Sequence, residues 1–144
     1  MATFVDQRTE AAFVSNGFVC IPVLDAASVR ALRASIDAVE PRVGSSMIFS
    51  DHHLEPAARA AVRRAVTEIV TPFLGALSPH RIVSASFVAK PPGPANLLDW
   101  HLDPAITDER SWTSLSLWIP LSDVDATNGA LEVLRFGHLA APAS

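Results

Sequence analysis

The sequence predicts a mainly β core preceded by N-terminal helices, an α+β arrangement folded as one domain over residues 1–144. Three features predict it. Two segments in the first half repeat their apolar residues every three or four positions, the period of a helix buried along one face. From Arg81 onward, four stretches rich in β-branched and aromatic residues follow one another, separated by Pro, Gly and Asn-Gly. Strands at that spacing indicate a sandwich or barrel. The texture changes near residue 80. Residues 1–79 therefore supply a strand and helices that pack on the sheet, 80–138 supply the sheet, and 139–144 (LAAPAS) form a tail.

Taken in order, residues 5 to 15 read as a short helix that stops at the turn signal Asn16-Gly17. Gly17 to Leu24 (GFVCIPVL) is a continuous apolar run, hence a buried strand. Asp25 caps a helix carrying Val29, Leu32, Ile36 and Val39, which closes at Pro41. After a loop through Ser45, Ser46, His52 and His53, a second helix starts near Glu55-Pro56 and runs to about Leu77, with Pro72 disturbing its last turns. The four later strands are Arg81–Lys90, Leu97–Leu102, Trp112–Leu121 and, after Asn128-Gly129, Ala130–Phe136.

Composition narrows the function. With 49% hydrophobic residues and a positive mean hydropathy, the chain carries more apolar surface than a domain of this size needs. Exposed apolar surface is expected from that excess, and with it a missing partner or missing strands. A net charge of −4 with scattered basic residues gives no nucleic-acid footprint. No apolar run reaches the roughly 18 residues of a membrane span, and the polar start (Met1 to Arg8) has no secretory signal, so a cytoplasmic setting is expected. The single cysteine, Cys20, forms neither an intrachain disulfide nor a thiolate zinc site. Its neighbours Phe18, Val19 and Ile21 predict a buried, inert thiol.

The chemistry concentrates at His101-Leu102-Asp103. On a strand, side chains two apart project to one face with Cα atoms ~6–7 Å apart. His101 and Asp103 can then converge on one ion while Leu102 turns away. One imidazole and one carboxylate are two thirds of the facial triad that holds Fe(II) with open positions for a co-substrate and oxygen. Chance alone gives roughly 0.3 His-x-Asp pairs in a chain of this make-up, so the pair by itself is a weak signal. His53-Leu54-Glu55 repeats the spacing, but Glu55 before Pro56 reads as a helix-start carboxylate. No Gly-x-Ser-x-Gly elbow, phosphate loop or zinc-ligand spacing is present.

The surroundings of the pair are more specific. Lys90-Pro91-Pro92, Trp100-His101-Leu102-Asp103, Asp108-Glu109, Leu117-Trp118-Ile119-Pro120-Leu121, Asp123-Val124-Asp125 and Asn128-Gly129-Ala130-Leu131 stand in this order. Together they resemble the phytanoyl-CoA dioxygenase-like family, most closely from about Phe87 to His138. Upstream, Asn16-Gly17-Phe18-Val19 before a capped helix is similar to the family's opening. The resemblance implies a double-stranded β-helix (jelly-roll, cupin-like) core and an Fe(II)- and 2-oxoglutarate-dependent hydroxylase of a small-molecule substrate. It implies that His101 and Asp103 are iron ligands. It also implies that Trp118 lines the 2-oxoglutarate pocket or packs in the core, and that Lys90 is a pocket residue or a strand end.

The pattern departs at Arg135-Phe136-Gly137-His138, where the family has Pro-Gly-Ser-His. Phe136 stands where the family has a glycine, and His138 keeps the site-lining histidine. The family's distal histidine ligand and its basic anchor for 2-oxoglutarate have no counterpart, so the core is expected to be incomplete, truncated after its fourth strand. Three readings stand. One is a truncated dioxygenase. Another is a working site with His138 as third ligand, also across a homodimer. The last is a non-catalytic half-domain, an interaction module joined to a complementing chain through open sheet edges. A cupin-like small-molecule binder also fits a jelly roll.

Overall fold

The computed structural model describes residues 2–39, 47–93, 97–103, 107–108 and 110–137. Pro41, Ser45, Ser46, Pro94, Glu109, His138 and the tail lie outside the described residues. The chain divides into two compact units. One comprises Met1–Ile21, Gly75–Pro79 and Asp99–Ser144, and the other Pro22–Leu74 and His80–Leu98.

The second unit holds nearly all of the core. Helix α2 spans Ala26–Val39 and begins where Asp25 Oδ1 accepts the Ser28 N–H at 2.7 Å, the cap expected from the sequence. Helix α4 (Pro56–Val70) packs against it, with Pro56 in the first turn, where a missing N–H costs nothing. Leu32 and Ile36 of α2 and Val62 and Val70 of α4 are buried, together with Leu74 and Phe87. The predicted long helix changes character at Thr71. Residues Thr71–Ala76 form a 3-10 helix, because Pro72 cannot donate the i→i−4 bond and its ring crowds the preceding turn.

Between the helices, strand β1 (Ile48–Phe49) leads into the short helix α3 (Ser50–His53). It pairs antiparallel with β2 (Val88–Ala89), Ile48 opposite Ala89 and Phe49 opposite Val88. Ser50, 1% exposed, extends this pairing. Its N–H donates to the Phe87 carbonyl at 3.0 Å, and its Oγ accepts the Phe87 N–H at 2.9 Å.

The first unit is built around helix α1, Gln7–Asn16. Asp6 accepts the Thr9 N–H at 2.7 Å and its hydroxyl at 2.8 Å, while Gly17 closes the helix in the left-handed region and donates to the Phe13 carbonyl. Glu10 reaches back to accept the N–H groups of Thr3 and Phe4 at 3.0 and 2.8 Å. Phe4 bridges to Leu77 and stacks edge-on against Phe13 at 5.3 Å. Among the described residues it is this unit's sole buried large apolar side chain.

The mainly β expectation is corrected here. Of the five expected strands, only Val88–Ala89 within Arg81–Lys90 pairs as one, and Gly17–Leu24, Leu97–Leu102, Trp112–Leu121 and Ala130–Phe136 form no strand among the described residues. Strand propensity reports fit to a paired, half-buried surface, not an intrinsic backbone state. Residues 81–87 illustrate the substitution. Val83 and Ser84 are held to α4 and α3 by side chains, with Arg63 Nη2 donating to the Val83 carbonyl at 2.9 Å and Ser84 Oγ to Asp51 Oδ2 at 3.4 Å, while Phe87 accepts a backbone bond from the Ser50 N–H. Cys20, expected to be buried in a strand, is exposed for the same reason. Asn128-Gly129 does turn, with Gly129 at φ 97°.

Candidate metal centre

His101 and Asp103 lie in an irregular stretch, not on a strand, yet they face each other. His101 Nδ1 stands 2.7 Å from the Asp99 carbonyl oxygen. A carbonyl only accepts, so Nδ1 carries the proton and a neutral ring leaves its lone pair on Nε2. Nε2 points at Asp103 Oδ1 across 3.7 Å, too far for a hydrogen bond. The other carboxylate oxygen, Oδ2, accepts the Ser116 hydroxyl at 2.7 Å. The side chains of His101 and Asp103 are 57% and 61% exposed, so both donors are open to solvent.

This donor set fits Fe(II) in kind: one imidazole nitrogen with its proton fixed on the remote atom, and one carboxylate oxygen. Adjacent ligands at ~2.0–2.2 Å from one ion stand about 3 Å apart. A gap of 3.7 Å therefore closes by a small side-chain rotation. Among the described residues, no group of three His, Cys, Asp or Glu side chains gathers around a point.

The other expected site residues are placed less tightly. Trp118 follows Ser116 by two residues and is 49% exposed, so the packed-core alternative for it does not hold. Lys90 is exposed directly after β2 and belongs to the other unit. His138 lies outside the described residues. The competing pair at His53 and Glu55 is otherwise engaged. His53 Nδ1 accepts the Phe49 N–H at 2.8 Å, and Glu55 precedes α4. A groove in the first unit, lined by Phe4, Val5, Glu10, Ala11, Val14 and Leu77 among others, includes none of the predicted site residues. Sequence reasoning missed Ser116 and the Asp99 carbonyl. For Ser116 the only signal was a hydroxyl interrupting the apolar run Leu115-Leu117-Trp118.

The family model of phytanoyl-CoA dioxygenase (PhyH) matches residues 13–143. The chain belongs to this family. The match includes residues of both units and takes in α2, α4 and the stretch that holds His101 and Asp103. No curated protein and no solved structure matches the chain. PhyH enzymes depend on Fe(II) and 2-oxoglutarate, and a dioxygenase relationship follows for this chain at the level of the family. No helix among the described residues is long and apolar enough to cross a membrane.

Proposed function

We propose that this PhyH-family chain is an Fe(II)- and 2-oxoglutarate-dependent dioxygenase that hydroxylates a small-molecule substrate, in a cytoplasmic setting, with His101 and Asp103 as metal donors. The observation that carries the reading is the contact of His101 Nδ1 with the Asp99 carbonyl at 2.7 Å, which leaves Nε2 as the ring nitrogen on the side of the Asp103 carboxylate, 3.7 Å away. When bound, Fe(II) and 2-oxoglutarate supply oxidative decarboxylation to succinate coupled to hydroxylation of a C–H bond. His101 contributes a neutral nitrogen, keeping its proton on Nδ1. Asp103 contributes a negative oxygen that offsets part of the ion's charge. The exposed indole of Trp118 offers an apolar wall for the co-substrate. Lys90 and His138 are assigned to the co-substrate on the family resemblance alone. The family implies a cupin-like double-stranded β-helix core for residues 80–138, of which the described residues hold only the strand Val88–Ala89.

The test is conversion of 2-oxoglutarate to succinate by the full chain with Fe(II), ascorbate and oxygen. Turnover is expected in the wild type and lost in Asp103→Ala. Equal turnover in both would contradict the assignment.

A specific observation favours a second reading, an interaction module that takes up further β-strands. Trp100, Leu102, Leu117, Leu131 and Leu134 are exposed, in segments that form no ladder among the described residues. Exposed apolar surface of that kind marks a docking site. A complementing polypeptide or a second copy would then join through strand edges. A stable stoichiometric complex on co-purification is expected under this reading, and recovery of a well-behaved monomer counts against it.

A further inference from the structure

We propose that Ser116 is a positioning residue for the metal pair: its hydroxyl ties down one oxygen of Asp103 and thereby presents the other to the ion. The inference rests on the iron reading above and adds a residue that reading does not require. An exposed aspartate rotates freely about its last bond and offers either oxygen, or both, to a cation. Here Oδ2 is engaged by Ser116 Oγ at 2.7 Å, which leaves Oδ1 as the oxygen that faces His101 Nε2 at 3.7 Å. A hydroxyl-to-carboxylate bond is charge-assisted and among the stronger single contacts available at a surface. His101 is held in the matching way, its remote nitrogen on the Asp99 carbonyl at 2.7 Å. Each donor is thus fixed by one bond from outside the pair, and the set is arranged to bind through one nitrogen and one oxygen.

The order of contacts argues against the obvious alternative. A nucleophilic serine gives its proton to a histidine that a carboxylate orients. Here the serine hydroxyl donates its hydrogen bond to the carboxylate, not to the histidine, and the carboxylate also neighbours His101. Ser116 is therefore a donor that holds, not a nucleophile that attacks.

The experiment is anaerobic equilibrium dialysis of the full chain against Fe(II) alone, comparing wild type, Ser116→Ala, Ser116→Thr and His101→Ala. Removing a partner that orients a metal ligand typically weakens affinity about 10–100-fold, and Ser116→Ala is expected at the lower end, about 10-fold. Ser116→Thr keeps the hydroxyl and should retain wild-type affinity. Metal-free melting curves of the two serine variants should coincide, which separates positioning from a general loss of structure. Unchanged affinity in Ser116→Ala would overturn the proposal, as would equal weakening in Ser116→Thr. No Fe(II) uptake by the wild type would overturn the iron reading itself, and the role of Ser116 with it.

Discussion

The N–H of Phe136 donates to the carbonyl of Asn16 at 3.0 Å, fastening the end of α1 to a segment 120 positions along the chain. Arg135 strengthens the junction, its Nη2 donating to Asn16 Oδ1 at 2.9 Å while its guanidinium sits over the Phe136 ring at 5.4 Å. The connection holds Phe136 at φ 63°, in the left-handed region. This is the position where the family resemblance sets a glycine.

Phe136→Gly should therefore stabilise the chain. A bulky residue in the left-handed region costs ~1–2 kcal/mol, against roughly 0.5–1 kcal/mol for the added backbone freedom of glycine. The exposed ring loses little burial when removed. A gain of up to ~1 kcal/mol is expected in chemical denaturation. A loss of stability would show that the Arg135–Phe136 contact outweighs the strain.

Ser50→Ala should destabilise the second unit by ~1–3 kcal/mol, because the Phe87 N–H would be left buried without an acceptor. Ser84→Ala removes a longer, exposed contact to Asp51 and should change stability by less than ~0.5 kcal/mol. Urea denaturation of both variants distinguishes them, and similar small effects would contradict the Ser50–Phe87 pairing.

Val62 is 1% exposed between the two packed helices, so Val62→Ala should cost ~2–3 kcal/mol through lost burial and the cavity it leaves. Val88, on the two-residue strand but half exposed, should tolerate alanine within ~0.5 kcal/mol. Reversal of that order would move the core away from the α2–α4 contact.

Acid should weaken both units through their helix caps. Hydrogen bonds from the Thr9 backbone and hydroxyl hold Asp6 below its usual value of 3.8, and the Ser28 backbone does the same to Asp25. The unfolded chain then binds protons more readily, so the cap contribution is complete above about pH 4 and is lost as pH falls through the folded values. Asp6→Asn and Asp25→Asn keep a capping oxygen without the charge. Together they should flatten the fall in melting temperature between about pH 4 and 2. An unaltered acid limb would place the titrating groups elsewhere.

Helices α1, α2 and α4 were legible in the sequence because their signals are local, whereas α3 (Ser50–His53) falls in a stretch that reads as a loop. The Asp25 cap, the Asn16-Gly17 stop, the apolar stripe through Leu32 and Ile36, and the break at Pro72 each act within one or two turns. The strands were not, because pairing depends on partners distant in sequence. Residues 113–120 alternate as a strand should, yet form none. Cys20 was misplaced by the same inference. At the candidate site, the spacing of His101 and Asp103 and the motifs around them single the pair out in the sequence. Ser116 could not be found this way, since nothing local says that a hydroxyl thirteen residues on will meet the Asp103 carboxylate.

The three tryptophans report on the exposed half. Trp100, Trp112 and Trp118 are 69%, 57% and 49% exposed, so the chain alone should show the emission of hydrated indole and be readily quenched by acrylamide. Uptake of further strands would shift the emission to the blue and protect it. Protected, blue-shifted emission from a monomer would contradict the exposure described for this segment.

The proposed function requires that His101 and Asp103 gather a metal. An anaerobic titration of the full chain with Fe(II) and 2-oxoglutarate, followed by the visible charge-transfer band of the chelate, tests this. The band should grow to saturation in the wild type and be absent in His101→Ala. A folded wild type that develops no band, or a band of equal intensity in the variant, would contradict the assignment of the pair as the metal centre.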